Sequence, residues 1–298
     1  MFCGVFGHKP TPGWLSTDGH RPDSTDDNWP AFLTIAPMTR YPADLPIILK
    51  AMTQSETAIT QLNKKVHIDD VKFFYIEHFP ISVTTKVDRE IISGIRKFVN
   101  HLEQDQNIKV QKIELPEMKY AFEAAVTILL RLNGVDTIFS KESDPDEWRS
   151  VFVEFVKFIC LVSPHSLSNV GYGVIKRFSQ KLPDSYYEWM CKKNEAIKRR
   201  VQDILGDNGV LICPTFTSAA HYPYEIYPKI CNVIYMMIFN ALGLPVTQCP
   251  IGFNSEGLPI GFQIVGNVNN DHLTIAVAQE AERAFGGWHE PPCERSTV

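Results

Sequence analysis

Two short stretches of almost uninterrupted apolar residues most restrict the folds open to this chain. Residues 71–79 (VKFFYIEHF) and residues 209–216 (GVLICPTF) each have the length of one β-strand, with little alternation between apolar and polar positions. A strand with that pattern is buried on both faces, as in the sheets of α/β proteins. Segments with helical periodicity lie between and after these stretches, so the sequence predicts a layered α/β fold.

The carboxy-terminal third of the chain carries clear local signals. Residues 229–242 are apolar nearly all round, which predicts a helix inside the core. Two strand candidates, residues 246–253 and 258–265, flank the turn sequence Asn-Ser-Glu-Gly, which predicts an antiparallel hairpin. Residues 271–285 predict a closing helix that a pair of glycines ends. No repeat and no domain boundary is visible in the sequence, so we expect residues 1–298 to belong to one domain.

Further elements are predicted from the spacing of apolar residues and from composition. A loop is expected over residues 13–37, and a polar insertion over residues 133–146. Apolar residues at three- and four-residue steps predict the other helices. These helices are placed at residues 39–52, from residue 85 to about residue 102, and at residues 117–132, 148–162 and 186–205.

Charge and composition argue against several classes of protein. The formal net charge is -5 and no block of basic residues occurs, so no nucleic-acid partner is expected. The longest apolar stretches, residues 151–162 and 233–246, are shorter than the roughly 20 residues that cross a bilayer. Seven cysteines without CxxC spacing, with Cys160, Cys213 and Cys231 inside apolar runs, predict buried free thiols in a reducing, intracellular compartment.

The short motifs of many enzyme classes are not spelled in this sequence. There is no HExxH, GxSxG or P-loop, and no GxGxxG follows a strand. None of the nine histidines lies three or four residues from another. We therefore expect neither a metal site nor a cofactor.

Five short blocks are spread over the whole chain. They are residues 3–11 (CGVFGHKPT), 36–45 (APMTRYPADL), 235–247 (YMMIFNALGLPVT), 257–263 (GLPIGFQ) and 285–288 (FGGW). In order and spacing these blocks resemble the amidase signature family of serine hydrolases, and the last one resembles its fatty-acid amide hydrolase branch. The resemblance implies an α/β/α layered fold with a mixed sheet, of which this chain looks like the carboxy-terminal part.

The same resemblance implies serine amidase chemistry. A lysine held neutral takes a proton through a bridging serine, which activates a second serine to attack the amide carbonyl. In the family this Ser-Ser-Lys triad precedes the block that begins here at Cys3, so no catalytic residue is expected in this chain and the chain alone is expected to be inactive. Lys9 is expected to stabilise a turn. Ser163, Ser166 and Ser168 are expected to cap helices and form turns.

Substrate contacts are also implied by the resemblance. In fatty-acid amide hydrolases the helix before the Asn-x-Leu-Gly-Leu-Pro sequence lines the acyl channel. Carried onto this sequence, Ile230, Val233 and Met237 face the acyl chain, and Tyr235 and Asn240 occupy matched motif positions. A wall of methionine and β-branched side chains suits a flexible alkyl tail. The alternative, which the pattern supports equally, is that these residues are core residues of a buried helix.

The expected function of the complete protein is the hydrolysis of a small-molecule lipid amide to a free acid and an amine. Two alternatives stay open. One is a non-catalytic lipid-binding protein that kept the acyl channel without the triad. The other is one component of an amidotransferase that acts on aminoacyl-tRNA, although the Phe-Gly-Gly-Trp ending and the apolar helix favour lipid amides. Membrane association is considered only for the full-length protein, and the sequence predicts no oligomeric state.

Overall fold

The computed structural model describes residues 1–20, 22–135, 139–141, 144–148 and 150–291. Within these ranges most of the strands join one sheet, and a separate pair forms a small hairpin. The strands are β1 (Phe6–Lys9), β2 (Met38–Thr39), β3 (Lys72–Tyr75), β4 (Val110–Lys112), β5 (Ser140–Lys141), β6 (Asp144–Trp148), β7 (Gly209–Pro214), β8 (Val246–Phe253) and β9 (Pro259–Gly266).

Helices surround this sheet and connect its strands. The α-helices are α1 (Trp29–Phe32), α2 (Leu45–Met52), α3 (Glu56–Leu62), α4 (Arg89–Gln104), α5 (Ala121–Arg131), α6 (Val151–Ile159), α7 (Leu167–Ser179), α8 (Asp184–Leu205), α9 (Ile234–Ala241) and α10 (Asp271–Phe285). Short 3₁₀-helices cover Pro42–Asp44, Ile68–Asp70, Pro116–Tyr120 and Tyr227–Val233.

The main sheet is mixed and has seven strands in the order β2-β1-β8-β9-β7-β3-β4. Strand β7 runs antiparallel to β9 on one side and parallel to β3 on the other. Strands β8 and β9 form the antiparallel hairpin that the sequence predicts. The predicted mixed sheet of a layered α/β fold is therefore confirmed.

Helices cover both faces of the sheet. Successive side chains of β9 point to opposite sides, so they contact helices on both faces. On one face Phe262 stacks on Phe98 of α4, with ring centroids 5.1 Å apart, and also contacts Phe285 of α10. On the other face the amide of Gln263 donates to the backbone oxygen of Tyr235 in α9, at 2.7 Å. The core thus occupies two layers, one on each side of β9.

A buried polar network fixes β1 against the start of α10. The side chains of His8 and Asp271 are fully shielded from solvent, and His8 Nε2 lies 3.1 Å from Asp271 Oδ1. Asp271 also accepts hydrogen bonds from the backbone N–H of Thr11, at 2.7 Å, and from its hydroxyl, at 2.6 Å. The other ring nitrogen of His8 lies 2.8 Å from the hydroxyl of Thr247. Residues near both ends of the chain therefore meet in one cluster.

Several boundaries differ from the sequence prediction. The strand predicted over residues 71–79 is only Lys72–Tyr75, and the helix predicted from residue 85 begins at Arg89. The helix predicted over residues 229–242 starts as a 3₁₀-helix, Tyr227–Val233, with a proline in its first turn, and becomes α9 afterwards. Helix α7 and strand β4 were not predicted.

The polar insertion predicted over residues 133–146 lies partly outside the described residues, and its described part contains β5 and the start of β6. Two serines of the predicted cluster behave as predicted, and the third, Ser168, lies inside α7. Ser166 Oγ accepts from the N–H of Asn169 in the first turn of α7, at 3.4 Å, and Ser163 Oγ accepts from the N–H of His165, at 3.2 Å. These residues cap a helix and close a turn.

The prediction of buried thiols is correct for Cys213 and wrong for Cys160. All six cysteines of the described residues are free, but Cys160 is exposed and Cys231 is only partly buried. Cys160 follows α6, whose apolar side chains Phe152 and Ile159 are 74% and 63% exposed, so an apolar sequence there does not mean burial. Among the described residues, no helix combines the length and the apolar character needed to cross a membrane.

Candidate substrate-binding site

A small cavity of about 190 Å³ lies where β1, β2, β8 and β9 meet the helix α9. Its volume is below that of most drug-sized ligand sites, so it suits one part of a ligand rather than a whole large molecule. The lining residues come from separate parts of the chain and include both apolar and amide side chains. They are Gly7, His8, Lys9, Ala36, Pro37, Met38, Thr215, Met236, Asn240, Val246, Gln248 and Gln263.

The cavity unites four of the five sequence blocks. Gly7 and Lys9 belong to the first block, Pro37 to the second, Asn240 to the third and Gln263 to the fourth. The first two blocks are far from the other two in sequence, yet the sheet order places all four side by side. Their convergence on one cavity makes this place the strongest candidate for a functional site.

Strand β1 and strand β2 form one wall of the cavity. Gly7 pairs with Met38 across the two antiparallel strands, and the N–H of His8 donates to the backbone oxygen of Pro37 at 3.0 Å. The side chain of Met38 lies over Gly7, 3.6 Å from the place of a Cβ, which is an ordinary packing distance.

Helix α9 forms the opposite wall, and the motif after it fixes its end. Gly243 adopts a positive φ of 65°, which favours glycine, and its N–H donates to the backbone oxygen of Asn240 at 3.0 Å. The N–H of Leu244 donates to the oxygen of Phe239, also at 3.0 Å. The helix therefore stops just before β8, and the Asn240 side chain stays at the cavity, where it donates to the oxygen of Phe32 at 3.0 Å.

Two glutamines of the hairpin reach the cavity. Gln263 is fully bonded through its nitrogen, which donates to the backbone oxygen of Pro214 at 2.8 Å and to that of Tyr235 at 2.7 Å. Gln248 accepts a hydrogen bond at Oε1 from the hydroxyl of Thr215. Its nitrogen Nε2 is buried and has no hydrogen-bond partner among the described residues. Gln263 thus holds the helix to the sheet, whereas Gln248 keeps an unused donor.

Lys9 is the cationic residue of the cavity lining. Burial lowers the pKa of its ammonium group to about 8, against the charge of Asp271, which raises it. The nitrogen donates to the backbone oxygen of Leu244 at 3.0 Å and to that of Pro10 at 3.3 Å. The bond to Leu244 ties β1 to the segment before β8, and the bond to Pro10 is local to the turn, which agrees with the turn-stabilising role expected from the sequence.

The five residues predicted to contact substrate lie in different environments. Ile230 and Val233 are 56% and 36% exposed on the 3₁₀-helix before α9. Asn240 lines the cavity, Met237 is partly buried against the main core, and Tyr235 is completely buried. The Tyr235 hydroxyl accepts from a core backbone N–H at 3.2 Å. The substrate contacts of all five residues stay predictions.

Of the residues that line the cavity, only Asn240 was predicted as a substrate contact, and the missed ones include Met236, Thr215 and Gln248. Met236 neighbours the predicted Met237, and a helix that is apolar nearly all round gives no signal about which of the two faces the cavity. Thr215 lies in the apolar stretch 209–216, directly after β7, and Gln248 stands between two blocks. A polar residue inside an apolar strand was the one available signal for Gln248.

A larger, open cavity of about 730 Å³ lies beside the loop that follows β7. Its lining is mainly polar and includes Asp88, His221 and Glu225, and only Leu258 belongs to one of the five blocks. We place the candidate site in the smaller cavity because the sequence blocks and the apolar wall converge there. In the described part of the chain no group of three or more His, Cys, Asp or Glu side chains is arranged to hold a metal ion.

Comparison with known proteins agrees with the family resemblance of these blocks. A family profile described as Amidase matches residues 1–275. Fatty-acid amide hydrolase 2 from Homo sapiens is 34% identical over 293 residues, which cover 97% of this chain and 55% of the relative. A glutamyl-tRNA(Gln) amidotransferase subunit from Halothermothrix orenii is 26% identical, and the match covers 95% of this chain and 61% of that protein.

The fold is shared with a solved structure as well. The crystal structure of a glutamyl-tRNA(Gln) amidotransferase subunit from Thermotoga maritima matches 95% of this chain and 58% of its own, with a TM-score of 0.62 and 19% sequence identity. At that identity the match concerns the fold alone. The chain spans between half and two thirds of the length of these relatives.

Proposed function

Since this chain belongs to the amidase family, we propose that it forms the substrate-contacting, carboxy-terminal part of a serine amidase that hydrolyses fatty-acid amides to a free acid and an amine. The observation that carries the proposal is the convergence of four family blocks on one cavity with an apolar wall. The 34% identity to fatty-acid amide hydrolase 2 supports a lipid amide as the substrate class.

An exposed apolar track leads away from this cavity and supports an acyl chain as its occupant. Met236 and Asn240 line the cavity, and Val233 and Ile230 precede them at steps of three residues along the same helical direction. Ile230, Val233 and Met236 are each exposed by a third or more, although all three are apolar. An alkyl chain that lay along this track would remove their surface from water.

The triad residues belong to the proposal as well. We place the Ser-Ser-Lys residues outside this chain. Lys9 is the lysine within it that was weighed as a triad member, but its ammonium group already donates to two backbone oxygens and so stabilises the local structure. The chain alone is therefore proposed to bind without hydrolysis. A reducing, intracellular compartment is part of the same proposal, in agreement with the free cysteines of the described residues. Membrane association is proposed only for the full-length protein.

A pair of measurements tests this function. The purified chain is incubated with a long-chain fatty-acid amide, and binding and release of free acid are measured separately. We expect saturable binding and no acid, and hydrolysis by the chain alone would contradict the placement of the triad. Sequencing of the transcript upstream of the Met1 codon is the second measurement. Finding no segment that encodes a Gly-Gly-Ser run would argue against the serine amidase and leave a non-catalytic lipid-binding protein.

The match to an amidotransferase component keeps a second substrate class within the family, but the apolar track favours the lipid amide. An amide on aminoacyl-tRNA is polar and carries a long polyanion, whereas Ile230, Val233 and Met236 offer no charge and no hydrogen-bond donor. Binding of the long-chain amide in the first measurement separates the two classes. A chain that failed to bind it would favour the amidotransferase interpretation.

A further inference from the structure

The outer wall of the candidate cavity is one layer of chain, residues 32–38, which we call the outer segment. It runs from the end of α1 to β2, and its residues Ala36, Pro37 and Met38 line the cavity. Ala36 is exposed and Met38 is 72% exposed, although both face the cavity as well. Residues that border a cavity and solvent at once have no second layer behind them.

The two ends of the outer segment are attached to different walls of the cavity. At one end, Nδ2 of Asn240 in α9 donates to the backbone oxygen of Phe32 at 3.0 Å. At the other end, the N–H of His8 in β1 donates to the backbone oxygen of Pro37, also at 3.0 Å. The outer segment therefore spans the cavity from the helix to the sheet.

Between these ends the outer segment has few polar attachments. The N–H of Leu33 donates to the oxygen of Trp29 at 2.9 Å, and the hydroxyl of Thr34 donates to the oxygen of Pro30 at 3.3 Å. Both bonds lead back to α1 and not to another wall of the cavity. In the described part of the chain, residues 35–36 make no hydrogen bond. The position of the middle of the segment thus depends on its ends.

Apolar packing leaves the same task to the Asn240 end. A small apolar cluster, separate from the main core, consists of Trp29, Leu132 and Val135. Phe32 and Leu33 pack against this cluster, whereas the buried side chains of α9 belong to the main core. The hydrogen bond from Asn240 to Phe32 therefore joins two apolar units that pack separately.

We propose that Asn240 is a positioning residue whose side-chain amide holds the outer segment against α9 and thereby closes the candidate cavity over a bound ligand. The ligand class comes from the proposed function, on which this inference rests, whereas the attachment itself is measured without ligand. Without the Asn240 bond, a segment one layer thick separates more readily from α9, and Ala36, Pro37 and Met38 then no longer cover the ligand. Asn240 thus acts on the ligand through the outer segment.

Hydrogen exchange of the purified, ligand-free chain, followed by NMR, tests the attachment. Asn240→Leu keeps the approximate shape of the side chain and removes the donor. We expect the backbone amides of Leu33 and His8, which are bonded at the two ends of the outer segment, to exchange about fivefold faster, as the loss of one hydrogen bond implies. The amide of Leu211 in the buried strand β7 should exchange as before, whereas a general loss of stability would accelerate it too.

Two other variants complete this measurement. Asn240→Asp also keeps the shape and, when ionised, has no donor, so it should give the same pattern, and it decides the question if Asn240→Leu does not fold. Asn194→Leu is the matched control. Nδ2 of Asn194 in α8 donates to the backbone oxygen of Ala241 at 3.0 Å, so this variant loses a bond of equal length near the same end of α9. It should leave the exchange of Leu33 and His8 unchanged.

Calorimetric titration with octanamide tests the closure over a ligand. If the ligand is held by the closed cavity, the apparent dissociation constant rises as the closed population falls. We expect both Asn240 variants to bind octanamide about fivefold more weakly than the wild type, and Asn194→Leu to bind it as the wild type does.

The outcomes are distinct. Unchanged exchange of Leu33 and His8 in both Asn240 variants would refute the attachment. Weaker binding without faster exchange would make Asn240 a direct ligand contact and refute the positioning role. Faster exchange with unchanged affinity would refute the closure over the ligand, while the proposed function stands. If the wild-type chain does not bind octanamide, the closure and the binding part of the proposed function fail together, and the exchange rates still decide the attachment.

Discussion

Replacing Thr11 by valine is expected to destabilise the fold strongly, although the two side chains have nearly the same shape. The Thr11 hydroxyl is buried and makes two hydrogen bonds. It donates to Asp271 at 2.6 Å and accepts from the N–H of Asn269 at 2.9 Å. Valine keeps the volume and removes both bonds. The change therefore isolates the polar contribution of one atom to the attachment of β1.

The magnitude follows from what each lost bond leaves behind. The Asp271 side chain is fully shielded from solvent, so its carboxylate cannot replace the lost donor by water. A hydrogen bond to a charged group contributes about 1.5 to 3 kcal/mol, and a buried N–H without a partner costs about 1 to 3 kcal/mol. We expect a loss of about 3 kcal/mol in the free energy of unfolding, which lowers the melting temperature by about 5 °C for a chain of this size.

Urea denaturation followed by circular dichroism measures this loss, with Thr11→Ser as the matched control. Serine keeps the hydroxyl and loses one methyl group, which corresponds to about 1 kcal/mol. Thr11→Val should therefore be clearly less stable than Thr11→Ser, at an unchanged dependence of the free energy on denaturant. If valine is tolerated as well as serine, the Asp271 network does not stabilise β1, and our reasoning about it is wrong.

Three further changes test other parts of the structure. Gly261→Ala should destabilise the chain by about 2 kcal/mol or more, because the new Cβ would lie 2.4 Å from a backbone oxygen. Thermal unfolding measures this loss, and a neutral effect would show that the hairpin shifts easily. The hydrogen bond from Arg96, with that from Lys112, outweighs burial and lowers the pKa of Glu77 to about 2, from its ordinary 4.5. The resulting stabilisation is complete above pH 4.5 and is lost as the pH falls towards about 2. A plot of the free energy of unfolding against acid pH should therefore be flatter for Glu77→Gln than for the wild type. Parallel plots would contradict this. Tyr235→Phe should cost about 1 to 2 kcal/mol in urea denaturation, since it leaves a buried backbone N–H without its acceptor, and an unchanged midpoint would refute that role.

The elements predicted well from the sequence are those with strong local signals. Helix α10 begins and ends at the predicted residues, Asp271 and Phe285, since its apolar period is regular and Gly286 adopts the positive φ that ends a helix. The hairpin of β8 and β9 also lies within one residue of its predicted position. Its turn sequence and its apolar strands indicate the same structure independently.

The elements that were missed depend on contacts that no local pattern contains. Helix α7 includes Gly171 and Gly173, which lower its intrinsic helix propensity. Gly173 permits close approach of the Phe139 ring, 2.6 Å from where a Cβ would be, so tertiary packing compensates for the weak local preference. Strand β4 has three residues and, among the described strands, pairs with β3 alone at the edge of the sheet.

The sequence by itself determined the hairpin and the closing helix, because each depends on residues that are neighbours along the chain. It also determined the layered fold, through the succession of apolar segments, and the family, through the order and spacing of five blocks. Only the tertiary structure decided which side chains meet at the cavity. It placed Met236 rather than Met237 at the cavity, and it left the Gln248 nitrogen without a partner in the described part of the chain. It also joined His8 to Asp271 across 263 residues. The physical reason is that burial and hydrogen bonding depend on which strands become neighbours, and strand order is a property of the whole fold.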